Sequence, residues 1–290
     1  MAISCRKSKT IVHHSRRVGD LLWIAHARPL VENMRDLVVR RVAANPVLGA
    51  RAESTFSCPA CNCTTHWESR FVYNPAAVLH RGAVHLLYRA QDARLTSRIG
   101  LAVASDGVHF ERRSPAEPVF YPDASASSRR LEWDGGIEDP RVVERAPADG
   151  GGFLMTYTAW NKMVARLCIA TSPNLLAWSR HGPAFAGTAY EDAWSKSGAI
   201  VARAAAGGRV IAERVQGRFW MYWGEHHVHL ATSPDLIRWT PLLDAAAPLG
   251  EGYRGAPYNR PTPGLATPLR VLSPRATLFD SALCEHGCTR

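Results

Sequence analysis

From residue 67 onward the apolar positions fall into short runs of strand length, each opened by a glycine turn and closed by a polar one. Val84 to Arg89, Phe153 to Tyr157 and Phe219 to Trp223 are rich in β-branched and aromatic residues and too short for helices. Each is followed by a second run, and these second runs repeat one another. Ile99-Gly-Leu-Ala-Val-Ala-Ser-Asp-Gly-Val-His-Phe110 aligns with Leu167-Cys-Ile-Ala-Thr-Ser-Pro-Asn-Leu-Leu-Ala-Trp178 and with Val228-His-Leu-Ala-Thr-Ser-Pro-Asp-Leu-Ile-Arg-Trp239. Their serines stand at 105, 172 and 233, spacings of 67 and 61 residues.

A unit of strand, turn, strand, Ser-Asp/Asn turn and aromatic, recurring at those spacings, predicts a four-stranded propeller blade. A β-sandwich is the lesser reading, since sandwiches do not repeat whole hairpins at constant period. The turn is expected to be a hairpin, and Phe110, Trp178 and Trp239 to pack between neighbouring blades. The expected fold is therefore all-β, of β-propeller type, with three full blades and the start of a fourth.

The first 44 residues break this pattern. Leu30, Val31, Met34 and Asp36 to Arg41 have helical spacing that Asn45-Pro46 ends, after a first stretch of twenty residues that is basic overall. This divides the chain into a basic, partly helical extension (1–44), a connecting segment (45–66) and a propeller domain (67–290). The net charge of +10 comes mostly from arginines scattered along the chain, with no nucleic-acid-binding signature beside them, so no nucleic-acid partner is expected. No apolar run reaches the ~18 residues that span a bilayer, and no membrane partner is expected. A homo-oligomer is left open.

Seven cysteines cannot all pair within the chain, and a reducing, cytoplasmic location is the simpler reading. Cys58, Cys61, Cys63 and His66 offer a zinc ligand set. Their cramped Cys-x-Cys step and single short loop favour reduced thiols instead, and no metal is expected.

The acidic motif is Gly135-Gly136-Ile137-Glu138-Asp139-Pro140-Arg141, opening the apolar Val142-Val143. Glycine permits a sharp turn and proline fixes the next step, so a carboxylate can project into a central well. Partial burial there raises a carboxyl pKa toward the useful range. As an isolated tetrapeptide, Glu-Asp-Pro-Arg is equally a common turn.

Several blocks together resemble glycoside hydrolase family 130: Asn74 to Val78, Leu86 to Ala90, Ser97 to Ala102, Gly136 to Arg141, Thr156 to Ala159, and Phe279-Asp280-Ser281-Ala282-Leu283 with Glu285 and Gly287. They keep the family's order from about residue 67 to 287. The resemblance implies a five-bladed propeller acting on β-mannosides, by phosphorolysis in most members and hydrolysis in some. It makes Asp139 the proton donor and Asn74, Arg89, Arg98 and Asp280 sugar-binding positions. Arg166, Arg180 and Lys196 fall where the family's phosphorylases bind phosphate, with His227 as a further candidate. The family continues beyond the Phe-Asp-Ser block, so an incomplete propeller is expected here.

Inverting phosphorolysis needs one protein carboxylate, because phosphate is the nucleophile; hydrolysis needs a second to activate water. Arginine's planar fork suits two phosphate oxygens and lysine adds a point charge. The expectation is thus a carbohydrate-active enzyme cleaving β-mannosidic bonds of an oligosaccharide or small glycoside, with inorganic phosphate as co-substrate and no cofactor. One departure stands against phosphorolysis: Trp223-Gly224-Glu225 occupies the place of a basic pair. Glu225, Glu191 or Asp192 would be the base of a hydrolase. A sugar-binding propeller without catalysis is the third reading.

Overall fold

Alternating buried and half-buried positions build three antiparallel four-stranded meanders, laid side by side in chain order. The computed structural model describes residues 42–242, except His226. The chain divides between Ala43 and Ala44, and every described strand belongs to the second unit. A hairpin of β1 (Phe56–Cys58) and β2 (Cys63–Thr65) comes first. The first blade follows as β3 (Phe71–His80), β4 (Ala83–Gln91), β5 (Ser97–Ala104) and β6 (Glu111–Arg112).

The short helix α1 (Ala126–Leu131), capped by the Ser125 side chain, leads to the second blade. That blade is β7 (Gly136–Glu144), β8 (Phe153–Trp160), β9 (Ala165–Ser172) and β10 (Ser179–Pro183). The third blade begins with β11 (Ala199–Ile200). An excursion through β12 (Ala202–Ala204), β13 (Val210–Ala212) and β14 (Arg214–Val215) intervenes before β15 (Arg218–Trp223), β16 (His229–Ser233) and β17 (Thr240–Leu242) complete it. These are consecutive propeller blades, as the repeats predict. No helix among the described residues is long and apolar enough to cross a membrane.

The repeated turn joins the third and fourth strands of each blade. In the second blade the Ser172 hydroxyl accepts from the Asn174 and Leu175 amides, and the Asn174 side chain from those of Leu176 and Ala177. Ser233 and Asp235 repeat the scheme in the third. The next residue is left-handed in all three turns: Gly107, Leu175 and Leu236 have φ of 73°, 67° and 69°. The turn then delivers its aromatic inward, where Trp178 and Trp239 donate back to Leu175 O and Leu236 O.

Each aromatic fills the gap toward the preceding element. Trp239 lies in the core shared by the second and third blades, with Leu167, Phe185, Phe219 and Trp223. Trp178 lies against the core between the first and second, around Leu87, Ile137 and Tyr157. Phe110 faces the β1–β2 hairpin, whose Phe56, Cys58 and Ala60 cover the first blade's outer side together with Trp67.

The Cys58–His66 loop departs from the reduced-thiol reading. Cys61 and Cys63 form a disulfide across the β1–β2 turn, since the hairpin places their sulfurs on one side of a tight loop. Cys58 is a separate buried thiol that accepts from Arg98, and His66 Nδ1 meets Ala52 O at 2.7 Å. The four side chains therefore do not converge as zinc ligands would. The helical spacing of 30–41 lies outside the described residues.

The packing makes a graded prediction. Trp239 is 1% exposed whereas Phe110 is only partly buried. Trp239→Ala should cost about 3–5 kcal/mol and Phe110→Ala clearly less, read from urea unfolding of the whole chain. Equal losses would contradict the assignment of Trp239 to a closed inter-blade core.

Candidate active site

The innermost strands of the first two blades each carry one interruption at the same place. In β3 the pairing with β4 skips from Tyr73 to Ala76, and in β7 the pairing with β8 skips from Glu138 to Arg141. Asn74-Pro75 and Asp139-Pro140 are thus the extra residues of two equivalent bulges. Proline suits this place because it has no N–H to leave unpaired on an edge strand. Asn74 and Asp139 adopt left-handed φ of 45° and 50°, and Ser197, just before β11, follows with 57°. The acidic motif is therefore a bulge inside one continuous strand rather than a turn preceding it.

The bulges turn side chains of two blades toward each other. Asn74 Nδ2 donates to Asp139 Oδ1 at 2.9 Å, and Arg89 Nη1 donates to the same oxygen at 3.0 Å. Both contacts use Oδ1, which leaves Oδ2 for a ligand. Arg89 Nη2 meets Glu138 Oε1 at 2.5 Å, its Nε donates to Ser97 Oγ at 3.0 Å, and its plane rests 4.7 Å from the Tyr73 ring centre. Gly136, with φ of 99°, lets β7 start this close: a Cβ there would lie 2.1 Å from Ser97 O.

Burial pushes the Glu138 carboxyl above its ordinary range; the Arg89 cation opposes this, Asp139's charge adds to it, and Lys196 opposes it further. Burial also carries the Tyr73 phenol up to about 12, against the pull of Arg89. Tyr73, Glu138 and Lys196 immediately precede the left-handed residue of their blades, so the repeat itself brings these three side chains to one place.

Lys196 does not face that place as a free cation. Its Nζ donates to Glu225 Oε1 at 3.3 Å, and Trp194 Nε1 donates to the other oxygen at 2.7 Å. Trp194 in turn meets Trp160 edge to face, with ring centres 5.5 Å apart. Among the described residues Arg166 is held through one nitrogen only, donating from Nη2 to Asp192 Oδ1 at 3.0 Å; its buried Nε and Nη1 have no partner there. His227 stands 6.4 Å from His229, ring centre to ring centre.

The other sequence-selected residues lie elsewhere. Arg98 is 1% exposed; it pairs with Asp92 at 2.8 Å and covers Phe56, a core ion pair rather than a sugar contact. Arg180 sits on β10, the outermost strand, where Glu132 and Asp123 take its guanidinium and Phe120 lies beneath it. Its position is removed from the innermost strands that carry Asn74 and Asp139. Glu191 accepts from the Gly187 amide within its own loop, and Asp280 lies outside the described residues.

Arg180 also has a structural counterpart. Buried Glu132 accepts from Tyr157 of β8 at 3.1 Å and from Arg180 at 3.0 Å. In the first blade Glu68 accepts from Tyr88 of β4 at 3.0 Å and from Arg112 of β6 at 2.9 Å. One Glu–Tyr–Arg set thus ties the connection entering each of these blades to its second and outermost strands.

A propeller that gathers an acid pair, a shared arginine, a lysine–carboxylate pair and tryptophan faces around the starts of its inner strands belongs to the carbohydrate-active class. Carboxyl groups serve glycosidic oxygens and aromatic faces serve sugar rings. Residues 39–269 match the family described as β-1,4-mannooligosaccharide phosphorylase, and the chain belongs to that family, glycoside hydrolase family 130. Its members are mannoside phosphorylases or glycoside hydrolases with a five-bladed propeller fold.

A 1,2-β-oligomannan phosphorylase of Thermoanaerobacter sp. (strain X514) is 29% identical over 229 residues, 75% of this chain and 64% of that protein. A solved glycosyl hydrolase from Bacteroides ovatus is 42% identical with a TM-score of 0.67, over 71% of this chain and 58% of that one. A solved protein from work on family 130 hydrolases that target β-1,2-mannosidic linkages in Candida mannan is 43% identical, with a TM-score of 0.66 and the same two coverages. The chain thus spans somewhat less than two thirds of the relatives it matches.

Arg89 is predicted to be the electrostatic keystone of the pair. Arg89→Met leaves two neighbouring carboxylates without their cation and should cost about 3–5 kcal/mol near neutral pH. The sign follows from proton binding. Without the cation the buried Glu138 carboxyl, already pushed upward by burial, holds its proton to higher pH in the folded state than in the unfolded one, so stability falls as pH rises through that window. Urea unfolding should therefore show a larger loss at about pH 8 than at about pH 4; a loss independent of pH would show that Arg89 acts by packing alone.

Proposed function

We propose that this chain carries the active site of an enzyme that hydrolyses β-mannosidic bonds, with Asp139 as proton donor and Glu225 as the base that activates water. The carrying observation is the Lys196–Glu225 contact at 3.3 Å. A cation that would attract phosphate is already matched by a carboxylate, and that carboxylate is the second acid hydrolysis requires. Arg180, a further expected phosphate ligand, is engaged by Glu132 and Asp123.

In this reading Asn74 and Arg89 fix Asp139 through Oδ1, so Oδ2–H faces the leaving oxygen. As the glycosidic bond breaks, that proton passes to the departing sugar's oxygen. Water attacks the anomeric carbon from the opposite face and gives its proton to Glu225. The products are free mannose, inverted at that carbon, and the shortened acceptor. Trp160 and Trp194 supply apolar faces for sugar rings, and the Trp194 N–H orients the base. The hydrolase and phosphorylase relatives concerned with 1,2-linkages favour β-1,2-mannosides over β-1,4-linked ones.

Phosphorolysis is the second reading, favoured by the two unpartnered nitrogens of Arg166. The two readings separate on product and on one variant. With β-1,2-mannobiose, hydrolysis releases free mannose at a rate indifferent to phosphate, and both Asp139→Asn and Glu225→Gln should lower kcat about 10²–10⁴-fold. Mannose 1-phosphate formed only with phosphate present, at a rate Glu225→Gln leaves intact, would establish phosphorolysis instead.

A further inference from the structure

Strands β3 and β7 carry Asn74 and Asp139 in their first halves, and their other ends open on a different concavity. His80 ends β3 and Glu144 ends β7, and both line a cavity of about 550 Å³ together with Arg81, Arg145, Gly152 and Arg209. Five residues of strand separate Asp139 from Glu144, roughly 15 Å at the usual rise. The cavity is therefore not the well around Asp139.

Its charge is unbalanced. Glu144 Oε2 accepts from Arg209 Nε at 2.7 Å and from Nη2 as well, so that pair is internally neutral. Burial, with His85 and Arg81 nearby, lowers the His80 pKa and keeps it uncharged near neutrality. Arg81 and Arg145 then remain without an acid among the lining residues. Asp149, the acid whose charge acts on Arg145, binds Arg214 at 2.8 Å.

Arg145 is the telling residue. Among the described residues its Nε is buried without a partner, and its Nη2 makes only a long contact of 3.4 Å with Gly150 O. Burial lowers its pKa, with Asp149 opposing, so a desolvated cation there gains from an incoming anion. Gly151 puts bare backbone beside it, with φ of 60° and open space where a Cβ would stand, so a ligand can approach the main chain closely.

We propose that this cavity binds a small phosphate monoester, its dianion held by Arg145 and Arg81 and its uncharged part filling the remaining volume. Guanidinium groups match phosphate oxygens bidentately. The volume lies in the range of small-molecule sites and exceeds what a lone anion would fill. The assignment is independent of whether the Asp139 site hydrolyses or phosphorolyses.

The test is calorimetric titration of the full chain with mannose 6-phosphate and inorganic phosphate, with neutral mannose as control. Saturable binding of mannose 6-phosphate is expected, tighter than inorganic phosphate. It should weaken at least about tenfold in Arg145→Met and in Arg81→Asn and be unchanged in Arg166→Met. Arg81 is an exposed turn residue with φ of 51°, a conformation asparagine accepts, so that variant should keep the parent's unfolding midpoint. No binding, or binding weakened only by Arg166→Met, would overturn the assignment.

Discussion

One guanidinium joins the two blades that make the acid site. Arg89 stands on β4, reaches Glu138 and Asp139 on β7, and lies over Tyr73 of β3. A lysine would satisfy one carboxylate; the planar fork satisfies both and stacks as well. Two carboxylates on adjacent residues, one of them buried, would otherwise favour protonation or separation of the blades. The cation therefore sets where Asp139 points and keeps the blades in register around it.

The first two blades place a bulge near the start of the innermost strand and the third a left-handed residue just before it, and chemistry is then assigned by substitution at fixed positions. The left-handed residue is Asn74, Asp139 or Ser197, and the residue before it Tyr73, Glu138 or Lys196. A bulge twists an edge strand and re-aims its side chains without disturbing the pairing beyond it. The buried Glu–Tyr–Arg sets hold the outer strands, so the inner positions are free to carry polar function. Stability and function are thus separated by distance from the innermost strand.

This separation explains what the sequence reveals and what it hides. The blade repeat is legible because the Ser-Asp/Asn turn and its aromatic depend on local hydrogen bonds and on one left-handed residue. Asn74, Arg89 and Asp139 are legible as a group through motif order. Arg98 and Arg180 mislead because an arginine has the same letter whether it meets a ligand or a buried glutamate. The signal that sorts Arg180 is present, however. Glu68, Tyr88 and Arg112 recur as Glu132, Tyr157 and Arg180 at nearly the blade spacing, which marks Arg180 as part of the repeat rather than of the site. The Cys61–Cys63 bond and the partnership of Lys196 with Glu225 depend on chain geometry that spacing alone does not carry.

Charge balance decides which nucleophile the Asp139 well favours. A phosphate dianion entering beside Glu138, Asp139 and Glu225 needs cations not already matched. Lys196 is matched by Glu225, whereas Arg166 is matched only by Asp192, whose side chain is 72% exposed and can swing away at little cost. Releasing Lys196 is harder, since Glu225 is also held by the Trp194 N–H and would stay anchored in the well. Water carries no such penalty and makes use of Glu225 where it stands. The hydrolytic reading therefore follows from the presence of an anchored carboxylate more than from any shortage of arginines.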